Sequence, residues 1–379
     1  MNKIIILGLV CLAIIGSIIV VAKIPNNVED GRVPAVVPVK VDVEDDHDYI
    51  AERVSRMTLD EKIGQMMIIG FENPFLDSHI KEMISKYHLG GVNLLGRNVV
   101  DKMQAAKLNT DLKSYNDSIT DIPFMVATDQ EGGSVSRYKF LKHLVPQTLL
   151  ISTDKAYKEA LERGEELSEL GVAVNFSPVA DYVTDKKSYL YARTFGTTTD
   201  GIVTLAKEMV RGYEDSGIRA VVKHFPGYGN ISKDPHRNAA QFDDSDYYAK
   251  SLEPFRKLLE NKEDGAVMTA HVIIPAIDSV PATLSSVLLK DILRKQWNYQ
   301  GVIITDDLEM VSAGNKSVPD LAVEAIKAGN DMIISTFTTK FHPLIHQAIK
   351  KAVTEGEIDE KDIDASVERI LKYKGFARN

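Results

Sequence analysis

The chain has 379 residues, 44% hydrophobic and 26% charged, a balance that suits a globular protein with one large core or two smaller ones. Its net charge of −9, with no basic patch, excludes a nucleic-acid partner held through phosphates. A single cysteine, Cys11, excludes an intramolecular disulfide and any cysteine-built metal cage.

Between Lys3 and Lys23 the chain carries no charge, and residues 4–22 are almost wholly apolar. That length is near the ~20 residues of a spanning helix. The segment 1–22 reads as a membrane anchor, or as a long signal peptide cut at the weak site Val20-Val21-Ala22. Val10 before Cys11 fits a lipoprotein signal poorly. Either way the rest of the chain is expected outside the cytoplasm, membrane-anchored if 1–22 is retained and secreted if it is removed. Residues 23–45 contain Pro25, Pro34 and Pro38 and show no helical period, so they form a linker. One globular domain then occupies 46–379. Thr58 and Glu61 form a capping-box pattern that opens its first clear helix.

A rhythm follows. Short apolar runs fall at 66–71, 91–95, 124–127, 173–176, 220–222, 266–268, 302–304 and 332–334. Amphipathic stretches at 155–170, 202–216, 249–259 and 320–328 lie between them. Continuous apolar strands alternating with helices predict a parallel sheet covered by helices. Eight such units predict an α/β fold of the (β/α)8 barrel type. A doubly wound open sheet shows the same alternation, but no glycine-rich phosphate loop follows the first strand.

In a barrel the reactive groups lie just past the carboxyl ends of the strands. Asp129 and Glu131, Asp181, Lys223 and His224, His271, and Asp306 and Asp307 all fall there, from five strand ends. After 220–222 comes a polar, glycine-spaced loop that carries Asp234 and His236, a carboxylate–imidazole pair suited to moving protons. Asp306 and Asp307 are neighbours on a strand, so one is expected to face the centre and the other to cap the next helix. A mouth carboxylate flanked by cations stays ionised and can act as a nucleophile.

Seven segments occur together in one order: 57–66 (Met57-Thr58-Leu59-Asp60-Glu61-Lys62-Ile63-Gly64-Gln65-Met66), Asp129-Gln130-Glu131-Gly132-Gly133, Asn175-Phe176-Ser177-Pro178-Val179, Arg193-Thr194-Phe195-Gly196, Lys223-His224-Phe225-Pro226-Gly227, Met268-Thr269-Ala270-His271-Val272 and Thr305-Asp306-Asp307-Leu308. In this the chain resembles glycoside hydrolase family 3, in its bacterial β-N-acetylglucosaminidase branch, from about residue 48 to the end. The resemblance implies a retaining exo-β-N-acetylglucosaminidase acting on carbohydrate, such as cell-wall fragments or related glycans, with no cofactor and no metal. It assigns Asp306 as nucleophile and His236, oriented by Asp234, as acid/base. It assigns Asp129, Arg137, Arg193, Lys223 and His224 to the sugar. Family members whose acid/base is a glutamate usually carry it on a second domain. None is expected here, since the chain runs out after a last helix over 359–373.

The chain departs from the family pattern at three places. Tyr228 stands where histidine is common, Pro235 where serine is usual between the dyad members, and Ser134 where an arginine often follows Glu131-Gly132-Gly133. Three other readings stay open at this point. One is a phosphorylase of the same glycosides. Another is a metal-dependent barrel hydrolase using His224, Asp234, His236 and His271. The third is a sugar-binding protein without turnover.

Overall fold

A computed structural model describes residues 46–230, 240–241, 245–310 and 316–376. The anchor reading of 1–22, the linker at 23–45, and Asp234, Pro235 and His236 lie outside the described residues. Among the described residues no helix is long and apolar enough to cross a membrane.

Eight strands close into a barrel: β1 (Met67–Ile69), β2 (Gly91–Leu94), β3 (Met125–Thr128), β4 (Val174–Asn175), β5 (Arg219–Phe225), β6 (Ala266–Thr269), β7 (Val302–Asp307) and β8 (Met332–Ser335). Each pairs in parallel with its sequence neighbours, and β1 closes the ring on β8 through Met67 opposite Ile333. β1, β2, β3, β6 and β8 are buried along their whole length, because helices cover the outside and side chains fill the inside. All eight expected runs are strands. The expected helices are present, four with slightly earlier starts, Thr153–Glu169, Thr199–Asp215, Ser245–Leu259 and Val318–Ala328, and the last, Glu360–Tyr373, starting one residue later with Asp359 as its cap. The earlier starts follow from the caps, since Ser152, Thr198 and Ser317 each accept a backbone N–H of the first turn. Thr58 and Glu61 form the reciprocal capping box.

Of the strands whose lengths differ from expectation, β5 and β4 do so for reasons that shape the site. β5 continues past Val222 to Phe225, because Lys223 and His224 are paired to carboxylates and so can be buried within the sheet. β4 shrinks to two residues, because Asn175 turns its amide onto the chain after β3. It accepts from Gln130 N at 2.9 Å and donates to Gln130 O at 3.0 Å. Past β5, Ala240–Gln241 pairs with Val272–Ile273 after β6 as a small parallel sheet at the barrel mouth.

Candidate active site

The carboxyl ends of the strands surround a cavity of about 440 Å³. Phe176, Met268 and Ile334 line it with apolar surface. Its polar wall comes from the loop after β3. Gln130 organises that loop by accepting from the backbone N–H groups of Arg137 and Tyr138 at 2.8 and 3.0 Å. The buried Arg163 guanidinium holds it from beneath, donating to the carbonyls of Glu131, His143 and Val145. Gly132 sits at φ 92°, and a Cβ there would come within 2.4 Å of Val145 O. Only glycine fits that turn.

The loop delivers Asp129 and Glu131 into an ionic lattice. Lys223 Nζ lies 2.8 Å from Asp129 Oδ1 and 2.6 Å from Glu131 Oε1. Arg193 grips both oxygens of Glu131 through Nε and a terminal nitrogen, each at 2.8 Å. Arg137 approaches Asp129 Oδ2 at 3.5 Å, and Asn93 Nδ2 does so at 3.4 Å. Burial alone would raise the Asp129 carboxyl, but Lys223 and Arg137 outweigh it and hold Asp129 well below the usual carboxylate range. For Glu131 the same contest, with Arg193 and Lys223 winning, ends at about 2. Burial disfavours the charged lysine, yet the two carboxylates raise Lys223 above its ordinary value. Asp129, Glu131, Lys223 and Arg193 are thereby kept ionised at neutral pH. Lys223→Met therefore takes the shared cation from two buried carboxylates, leaving Glu131 to Arg193 and Asp129 to the more distant Arg137, and is expected to cost about 3–5 kcal/mol in denaturant unfolding. A loss under about 1 kcal/mol would mean that the lattice is not mutually dependent.

His224 follows Lys223 directly, and both line the cavity; the peptide between them is cis. Asp181, fully buried, accepts from His224 N at 3.1 Å and Tyr228 N at 2.6 Å, and meets His224 Nδ1 at 2.8 Å. The other ring nitrogen of His224 faces Arg193 at 3.4 Å. Tyr228 is buried against the His224 ring, with centroids 5.2 Å apart, and its phenol oxygen accepts from His271 N at 3.0 Å. Burial and the Asp306 charge raise its pKa well above the ordinary phenol value.

Across the cavity, Asp306 and Asp307 end β7, and both line the space. The expectation that one faces inward and the other caps describes their environments in part. Asp306 is half-buried, and its Oδ1 accepts from Asp307 N at 2.8 Å. Asp307 is buried and turns toward the chain after β8. Its Oδ2 meets Thr336 N at 3.2 Å and the Thr336 hydroxyl, and its Oδ1 accepts from Glu309 N at 3.0 Å. Burial pushes the Asp307 carboxyl up to about 7, against the pull of those donors. The folded chain thus keeps a proton there that the unfolded chain loses near pH 4, so stability falls as pH rises from about 4 to 7. Asp307→Asn removes this slope. Relative to wild type the variant should gain up to about 4 kcal/mol between pH 4 and 8, roughly three units at about 1.4 kcal/mol each. Parallel unfolding curves at both pH values would refute the assignment.

The structure brings Asp129, Arg137, Arg193, Lys223, His224 and Asp306 to one cavity. Asp234 and His236 lie outside the described residues. Of the metal-ligand set considered from sequence, His224 is engaged by Asp181 and His271 by Thr283 and the Asp307 carbonyl. Among the described residues no three acidic, histidine or cysteine side chains cluster as a metal site. Ser134 lines the rim. Sequence reasoning placed Glu131 and Asp181 at strand ends without a role, and it passed over Asn93, Glu309 and Thr336. Asn93 had a signal: it is the one amide in the run of β2, Gly91–Leu94.

The Glycosyl hydrolase family 3 N terminal domain matches residues 58–373. The chain belongs to glycosyl hydrolase family 3. Among curated relatives in that family, the β-hexosaminidase of Alkalilimnicola ehrlichii is 33% identical, over 72% of this chain and 80% of its own. The β-hexosaminidase A of Pseudoalteromonas piscicida is 29% identical over 79% of this chain, which spans 55% of that longer relative. Among solved structures of family 3, a β-N-acetylglucosaminidase from Paenibacillus sp. str. FPU-7 aligns with a TM-score of 0.79 at 33% identity, covering 84% of this chain and 62% of that one.

Proposed function

We propose that this family 3 protein is a retaining exo-β-N-acetylglucosaminidase that releases terminal non-reducing N-acetylglucosamine from cell-wall fragments or related glycans. The observation that carries the reading is the cavity itself, which sets one available carboxylate, Asp306, beside a lattice of paired, buried charges. Its volume suits a single small ligand. The barrel interior beneath it is packed, which favours binding a chain end over threading a chain through. Charged groups that are already paired and fixed suit sugar hydroxyls, which can both donate and accept.

In this reading Asp129, Arg137, Arg193, Lys223 and His224 hold the sugar. An Asp306 oxygen attacks the anomeric carbon while the bond to the leaving oxygen breaks, and His236 gives that oxygen its proton. Water, deprotonated by the same His236, then attacks the anomeric carbon and frees Asp306. Asp234 orients the imidazole and favours its protonated form. An imidazole in place of the usual second carboxylate adds no negative charge next to Asp306. Residues 1–22 would carry the catalytic domain out of the cytoplasm and, if retained, hold it at the membrane.

The test is release of N-acetylglucosamine from a chromogenic β-N-acetylglucosaminide, with the anomer of the first product read by NMR. The β-anomer is expected, together with a strong preference over the matching β-glucoside. The α-anomer, or equal use of the glucoside, would defeat the reading. Formation of the sugar 1-phosphate in phosphate buffer would replace hydrolysis with phosphorolysis.

A further inference from the structure

Phe337 follows Thr336 at the end of β8 and lines the cavity, yet its side chain is 52% exposed. A lone exposed aromatic needs no explanation by itself. What sets this one apart is how firmly it is held. The side chains of Asp307 and Glu309, both from the chain that carries Asp306, take up donors from Ser335, the last residue of β8, and from each of the three residues that follow it. Glu309 Oε1 accepts from Ser335 Oγ at 2.8 Å, Phe337 N at 2.9 Å and Thr338 N at 3.0 Å. Asp307 Oδ2 takes the N–H of Thr336 at 3.2 Å and meets its hydroxyl. From the other side Arg97 donates to the carbonyls of Thr336 and Phe71, and its guanidinium sits 5.8 Å from the Phe337 ring centre. That separation is within range of a cation–π attraction.

An apolar ring kept in water at the mouth of a sugar cavity, on a backbone tied to the Asp306 strand end, is arranged to meet something flat and apolar. One face of a pyranose is such a surface, since its axial C–H groups are weakly positive and the face of an aromatic ring is negative. Building on the function proposed above, we infer that Phe337 is the platform for the first sugar of the leaving group. The enzyme is thereby matched to saccharide aglycones over small or ringless ones. Because the ring is pre-positioned, little ordering entropy is lost when that sugar stacks on it.

The experiment compares kcat/KM of the full-length wild type, Phe337→Ala and Phe337→Tyr on two substrates. One is the β-1,4-linked disaccharide of N-acetylglucosamine; the other is N-acetyl-β-glucosaminyl fluoride, whose leaving group has no ring. Phe337→Ala is expected to lose about tenfold on the disaccharide and less than about twofold on the fluoride. Phe337→Tyr should keep wild-type values on both. Equal losses on the two substrates, or no loss on either, would overturn the platform while leaving the hydrolase reading in place. If wild type turns over neither substrate, the hydrolase reading falls and the platform falls with it.

Discussion

Replacing Asp306 by alanine is expected to lower turnover of an N-acetylglucosaminide by about 10⁴-fold while leaving the melting temperature nearly unchanged. The expectation rests on its surroundings. Asp306 is half-buried beside the cavity, its Oδ1 takes the Asp307 N–H at 2.8 Å, and no described residue donates to Oδ2. An oxygen with uncommitted lone pairs is what displacement at an anomeric carbon requires. Its neighbour offers the contrast, because both Asp307 oxygens are spent on Thr336 and Glu309. Asp307→Asn should therefore be much milder in turnover, with its main effect on the pH dependence of stability. If the two variants were equally inactive, the choice of Asp306 as nucleophile would lose its basis. A slow fluorinated substrate should leave its sugar attached to Asp306, and a label on any other carboxylate would reject the displacement as drawn.

The second large effect is expected at His236. A positioned acid/base contributes about 10²–10⁴-fold, so His236→Ala should lose that much on the disaccharide, whose leaving oxygen needs a proton. On the glycosyl fluoride, which departs without one, formation of the covalent intermediate should be nearly unimpaired. Turnover should then stall at the second step, and added azide, a nucleophile that needs no base, should restore it as the glycosyl azide. A His236→Ala protein equally slow in the first step on both substrates would place the acid elsewhere. The two ends of the chain segment bearing this pair are fixed. Asn230 Oδ1 accepts from Thr184 N and Asp185 N at 2.7 and 2.8 Å, and Ala240–Gln241 pairs with the chain after β6.

Much of the architecture was legible because barrel strands are buried on both faces. Val302, Ile303 and Ile304, or Met332, Ile333 and Ile334, read as strands from composition alone. The length of β5 was not legible in the same way. Lys223 and His224 look like a strand end until Asp129, Glu131 and Asp181 are known to neutralise and bind them, and those partners are distant in sequence. The cavity residues were found by their position after strands and by their family resemblance. The knot of Asp307 and Glu309 with the residues after β8 was not, because its donors are mostly backbone N–H groups, which leave no mark on a sequence.

Lys223 joins chain segments 94 residues apart when it meets Asp129, and Arg193 spans 62 to reach Glu131. Neither pairing can exist in any fragment that holds only one of the strands involved, and each closes a long loop whose entropic cost must be met first. During refolding, helices such as Thr153–Glu169 can form from local contacts alone, well before those loops close. The cavity that these groups line is thus expected to form late, and regained ligand binding should report completion of the ring of strands rather than growth of helix.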